Sequence, residues 1–116
     1  TPLSSLTVKW DEAATTAQKQ ERIIIQKWIA NFNNGIEAWS DHRRTGYPKF
    51  FPATDAGNKS SGVVDNEFGA RRMVYPLAEY SNNGENVSVA VSEYLKGADK
   101  MSTRLWWDCN PEVVSK

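Results

Sequence analysis

The stretch from Ile23 to Pro48, IIIQKWIANFNNGIEAWSDHRRTGYP, constrains the fold more than any other. Ile24, Ile25, Trp28, Ile29 and Phe32 recur at helical spacing and form an apolar stripe. Glu21, Arg22, Gln26 and Lys27 fall largely on the other side. Asn33-Asn34-Gly35 interrupts the pattern, because Asn and Gly tolerate the left-handed backbone that ends a helix. Either Asn can also cap the next helix. Ile36, Trp39 and Arg43 then continue at helical spacing up to Thr45, and Gly46 and Pro48 stop the second segment. The spacing predicts a helix hairpin with two indoles near its seam. Arg43 and Arg44 sit at the end where the helix dipole favours cations.

Composition narrows the class. A chain of 116 residues predicts one compact domain with a core of modest reserve. Five Trp in that length assign much of the packing to a few large anchors. Fourteen basic and fourteen acidic residues cancel, which argues against nucleic acid or an anionic membrane as a partner. The lone Cys109 excludes an internal disulfide framework and a multi-cysteine zinc site, and near the C-terminus it cannot itself be the lipid-bearing N-terminal cysteine of a lipoprotein. No apolar run approaches transmembrane length, and no signal peptide is read in a chain that opens on Thr-Pro.

Four blocks of sequence resemble the C-terminal part of the SusD/RagB family. They are Gln26-Lys27-Trp28-Ile29-Ala30 with Glu37-Ala38-Trp39; Arg43-Arg44-Thr45-Gly46-Tyr47-Pro48; Arg71-Arg72-Met73-Val74-Tyr75-Pro76 with Glu79; and Thr103-Arg104-Leu105-Trp106-Trp107-Asp108. Asn83 and Asn86 fit the family's Asn-rich helix start, and the blocks occur in the family's order between Val8 and Asp108. The resemblance implies a non-catalytic glycan-binding lipoprotein of the Bacteroidetes outer membrane, with peptides as the alternative ligand. It also implies a SusC-like, TonB-dependent transporter as partner. The lipid anchor and most of the helical-repeat scaffold would lie outside this stretch, and the remainder of the SusD-like chain is a further partner.

The remaining segments are read in order. Leu6 to Trp10 alternates like a brief edge strand. Thr15 with Gln18 makes a capping box for the first helix, and Asp11 is a rival start. Lys49 to Gly69 carries the Gly, Ser, Asn and Asp density of a loop, with Phe50 and Phe51 expected to plug back onto the body. Asn82 with Glu85 suggests a cap for a helix presenting Val87, Ala90, Val91, Tyr94 and Leu95, although Val87, Val89 and Val91 also alternate as a strand would. Gly97 is expected to end it, and residues 109–116 read as a frayed tail. The expected fold is mainly α: about three helices, long irregular loops and a few short strands, a single domain or subdomain over residues 1–116. By resemblance it is the C-terminal subdomain of the SusD-like helical-repeat fold.

Catalytic patterns are thin. His42 stands beside Asp41 and Arg43 without a nucleophile elbow and reads as a surface histidine. Glu37 and Asp41 share a helix face. Carboxylates run glycoside hydrolysis only when they flank a cleft, so these two are expected to pair with basic neighbours such as Arg44. Asp55, Asp65 and Glu67 lack the alternating-oxygen spacing of a calcium loop, and no cofactor or metal is expected. Asn58-Lys59-Ser60 and Asn86-Val87-Ser88 match the glycosylation sequon by chance frequency alone.

The guanidinium groups of Arg43-Arg44 and Arg71-Arg72 are expected to stack on Trp39, Trp106 or Trp107 and to be bridged by Glu37, Asp108 or Glu79. Trp28, Trp39, Trp106 and Trp107 are assigned to packing, as are Tyr75 and, as part of its motif, Tyr47. A carbohydrate ligand needs flat rings on loops, and Tyr47, Phe50, Phe51 and Phe68 are the candidates, beside Trp10 and Tyr80. The resemblance itself supplies no binding residue.

Overall fold

A computed structural model describes residues 2–110. The backbone divides into two compact units, one built from the chain up to Phe51 with Asn110, the other from Pro52–Cys109. Among the described residues the regular structure is helical: α1 (Thr16–Ala30), α2 (Gly35–Thr45), α3 (Leu77–Asn82), α4 (Gly84–Val89) and a π-helical segment, Ala90–Leu95.

The first unit is the helix hairpin. Thr15 caps α1 through a complete capping box: the Gln18 N–H donates to Thr15 Oγ1 at 3.2 Å, and the Thr15 N–H donates to Gln18 Oε1 at 3.0 Å. This decides the start of the helix in favour of Thr15, with Asp11 instead holding a local turn through the Ala13 N–H. Asn34 caps α2 through the Glu37 N–H. Gly46 ends α2 in the left-handed region at φ 76°, and its N–H donates to His42 O at 2.8 Å. The Tyr47–Pro48 peptide bond is cis.

The buried face of α1 differs from the expected stripe. Ile24 is buried, but so are Glu21 and Arg22, while Ile29, Phe32 and Ile36 lie in the open around the α1–α2 turn. The reason for Arg22 is specific: its Nε–H donates to Thr7 O at 2.8 Å, which ties the N-terminal segment to the helix. That segment, Leu6 to Trp10, forms no strand.

In the second unit the loop of residues 52–69 is folded by its own side chains. Asn58 Nδ2 donates to Val64 O at 2.8 Å and to Asn66 Oδ1 at 2.6 Å, while Asn58 Oδ1 accepts from the N–H and hydroxyl of Ser60. An isolated bridge between Asp65 and Gly69 is the only β pairing among the described residues, so the few short strands expected from sequence are absent there. Met101 pins the loop to the C-terminal segment: its N–H donates to Val63 O at 3.0 Å, and its carbonyl accepts from the N–H groups of Arg71 and Arg72.

The helical reading of residues 82–95 holds, with three corrections. A separate short helix, α3, precedes it. Neither Asn82 nor Asn83 caps α4 through its side chain; Asn83 Oδ1 accepts instead from Asn86 Nδ2 at 2.7 Å. The helix ends at Leu95, with Lys96 in the left-handed region, two residues before Gly97. The π segment explains the exposed Tyr94. An α-helix turns about 100° per residue, so eight residues would carry Leu95 about 80° past Val87. Wider π turns rotate less per residue and bring Leu95 back toward the Val87 side. Both are buried, and Tyr94 is left in solvent.

Cys109 and Asn110 are anchored: the Cys109 thiol donates to Trp106 O, and Asn110 Nδ2 donates to Arg44 O at 3.1 Å. The rest of the tail expected at residues 109–116 lies outside the described residues. No helix of the described residues is long and apolar enough to cross a membrane.

Candidate functional site

The seam of the first unit is ionic. Asp41, on the inner face of α2, receives Lys27 Nζ at 2.6 Å and Arg44 Nη2 at 2.8 Å. The hydrogen bond from Lys27 holds the Asp41 carboxyl below its ordinary range against the opposing effect of burial, and Arg44 adds to it. The same bond raises the Lys27 ammonium, with Glu37 contributing from 2.6 Å. Glu37 and Asp41 are therefore counter-charges to one lysine that spans the hairpin. Of the two pairings expected with Arg44, the one to Asp41, three residues before it on the helix, is present, whereas Glu37 pairs with Lys27.

Arg43 lies over the Trp39 ring at 3.8 Å, the stacking anticipated from their spacing. Thr45 is 1% exposed. Its hydroxyl donates to Asp41 O at 2.7 Å and accepts the Tyr47 N–H at 3.2 Å, so it locks the turn after α2. His42 Nδ1 is 3.1 Å from Pro48 O, and its ring is 4.7 Å from that of Phe50.

The second unit is built around Arg71 and Arg72. Arg71, 1% exposed, meets Asp108 in a two-pronged ion pair, with Nε to Oδ2 at 2.8 Å and Nη2 to Oδ1 at 2.6 Å. Arg104 Nη1 approaches the same carboxylate at 3.2 Å. Arg72 pairs with Asp99 and lies 5.1 Å from the Tyr75 ring. Asp99 also accepts from the Tyr75 N–H and, at 2.7 Å, from the Tyr80 hydroxyl. Burial pushes the Asp99 carboxyl up, but the bonds from Arg72, Tyr80 and Tyr75 outweigh it and hold the group below its ordinary value. The bond to Asp99 raises Tyr80.

Sequence reasoning named Asp108 and missed Asp99. Glu79, expected as a bridge, instead accepts from Asn83 at 3.4 Å. The indoles also separate. Trp28 and Trp39 are half-buried within the first unit, whereas Trp106 is 86% exposed and Trp107 is open as well, so those two are not core. The sequence Trp106-Trp107-Asp108 buries only its acid, because Asp108 must meet Arg71 and the turn then points the preceding Trp106 outward.

The ring candidates fall in different places. Tyr47 is buried and presents no face to solvent. Phe50 packs edge-on against Trp28 at 5.0 Å and is half-open, while Phe51 is exposed. Phe68 belongs to the second unit, half-buried, with the Arg104 guanidinium 5.6 Å from its ring. Tyr47 and Phe50 both follow the end of α2. Among the described residues no three of His, Cys, Asp and Glu come together as metal ligands.

The SusD-like family model, "Susd and RagB outer membrane lipoprotein", matches residues 1–108. The chain belongs to the SusD-like family. A SusD homolog from Bacteroides uniformis is 60% identical over 93% of this chain and superimposes with a TM-score of 0.83. A chitin-binding SusD homolog from Flavobacterium johnsoniae is 50% identical over 94% of the chain, with a TM-score of 0.80. A SusD-like protein from Bacteroides thetaiotaomicron is 42% identical over 92%, with a TM-score of 0.76. The chain spans 22% of the length of each of these three relatives. The sequence matches no curated protein. Membership accounts for the mainly helical, loop-rich fold.

Proposed function

We propose that this chain serves glycan binding and uptake at the bacterial outer-membrane surface, as part of a lipid-anchored SusD-like protein that hands its ligand to a TonB-dependent transporter. The observation that carries this reading is the 50% identity, over 94% of the chain, to a chitin-binding SusD homolog. The chemistry is non-covalent binding without turnover. Consistent with that, the Glu37 and Asp41 carboxylates are both held by Lys27. Among the candidate rings, Phe51, the exposed edge of Phe50 and the Arg104-backed ring of Phe68 offer faces for stacking on a sugar. Tyr47, buried, belongs to the turn after α2.

The test is a tryptophan-fluorescence titration with a panel of oligosaccharides, chito-oligosaccharides included. A saturable change with at least one member is expected, and a flat response to the whole panel overturns the reading. Glu37→Gln is expected to leave binding unchanged and to reveal no lost hydrolysis.

A second reading, a docking subdomain with no ligand of its own, is favoured by one observation: Phe32 is 90% exposed at the α1–α2 turn, flanked by the open Ile29 and Ile36. Under it, Phe32→Ser abolishes binding of an environment-sensitive apolar dye while the oligosaccharide titration stays flat.

A further inference from the structure

Within the second unit a cavity of about 350 Å³ opens between the loop of residues 55–66 and the segment carrying Lys100 and Ser102. Its size is at the lower end of the range for small-molecule sites. Its lining is mostly polar, with Asp55, Asn58, Asp65, Asn66, Lys100 and Ser102 beside Gly62 and Val64.

The walls are fixed before any ligand arrives. Asn58 spends its amide on Val64 O, Asn66 and Ser60. Asn66 Nδ2 donates to Asp55 Oδ1 at 2.5 Å. Asp65 Oδ1 accepts the N–H groups of Glu67 and Phe68, both at 2.8 Å. The backbone of Met101 joins the opposite wall to Val63. These bonds leave one oxygen each of Asp55 and Asp65, the Ser102 hydroxyl and the Lys100 ammonium without a partner among the described residues.

That set of open groups selects a chemistry. Two carboxylate oxygens accept hydrogen bonds, an ammonium donates them, and a hydroxyl does both. An anion meets two negative charges here against one positive. A divalent cation meets an ammonium and too few oxygens for the six to eight that calcium takes. A neutral molecule dense in hydroxyl groups satisfies all of them, since every hydroxyl gives one bond and takes others.

We propose that this cavity is a hydrogen-bonding subsite for one neutral sugar residue, distinct from the ring faces of Phe50, Phe51 and Phe68. The inference rests on the glycan-binding reading and adds to it a location and four contact groups.

The experiment is amide NMR of the whole chain titrated separately with glucose, N-acetylglucosamine, chitotriose, inorganic phosphate and calcium chloride. Saturable shifts confined to the amides of Asn58, Asp65, Asn66, Lys100 and Ser102 are expected with at least one sugar. Lys100→Ala and Ser102→Ala, which remove no hydrogen bond holding the walls, are each expected to weaken that sugar about tenfold while leaving the other amide positions in place. Sugar-induced shifts elsewhere but not at the cavity overturn the subsite and leave the glycan reading standing. Silence toward every sugar overturns both. Saturation of the same amides by phosphate or calcium, or sugar binding indifferent to both substitutions, overturns the assignment to a neutral polyol.

Discussion

Arg71 and Asp108 stand 37 positions apart in the sequence and meet through two hydrogen bonds in the least hydrated part of the second unit. Their pairing brings the Arg-Arg motif and the closing Trp-Trp-Asp motif into one place. Arg104, four residues before Asp108, adds a third contact to the same carboxylate, so one acid gathers a remote and a local guanidinium.

Asp108→Asn keeps the shape of the acid and removes its charge. An uncompensated guanidinium then stays buried, which costs about 3–5 kcal/mol. The urea midpoint is expected to fall accordingly. The double substitution Arg71→Met with Asp108→Leu is expected to recover most of that loss, because it removes both buried charges together.

Thr45 holds the turn after α2 through one hydroxyl. Thr45→Val preserves volume but strands the Tyr47 N–H, at a cost of about 1–3 kcal/mol. Thr45→Ser retains both hydrogen bonds and is expected to lose about 1 kcal/mol for one buried methyl group. Denaturant titration of the two variants side by side checks the order.

Asp41 and Lys27 set opposite ends of the pH profile. The Asp41 carboxyl is lowered from its ordinary 3.8, so its contribution is complete above that value and disappears as pH falls through the folded-state value. The Lys27 ammonium is raised from 10.5, so its contribution is complete below that value and disappears as pH rises through the folded-state value. Asp41→Asn is expected to flatten the acid limb of a stability-against-pH curve measured by thermal melts. Asp99 is lowered as well, so Asp99→Asn flattens the same limb independently.

Thr15→Ala removes one half of the capping box on α1 and is expected to cost about 1 kcal/mol. Circular dichroism during denaturation reads the loss.

Trp106 is expected to be the indole most accessible to iodide or acrylamide. Trp106→Phe should therefore lower the quenching constant of the remaining fluorescence, whereas Trp39→Phe, which removes a ring covered by Arg43, should raise it.

Features carried by neighbours in sequence were legible. The Thr15–Gln18 box, the Gly46 stop and the Arg43–Trp39 stack all join residues within four positions, where helical geometry fixes the partner. Arg71–Asp108 was within reach because few acids follow the arginine pair in the Trp-rich motif. Asp99 was hidden, since nothing in its spacing points 27 residues back to Arg72. The burial of Glu21 and Arg22 was also hidden: periodicity separates the faces of α1 but does not say which face a remote carbonyl such as that of Thr7 will cover. For the same reason Ile29 and Ile36 read as core and stand in solvent. The cavity of the second unit was invisible because its two walls lie on opposite ends of that unit's sequence.

The described residues that are withdrawn from water include Ile24, Ala38, Tyr47, Val87 and Leu95, but also Glu21, Arg22, Asp41, Thr45, Arg71, Arg72 and Asp108. Newly wetted hydrocarbon raises the heat capacity of an unfolded chain, and newly wetted polar groups lower it. An interior of this make-up gives melting a small heat-capacity increment for the chain's length. Its free-energy dome is correspondingly shallow, so stability changes little with moderate warming or cooling.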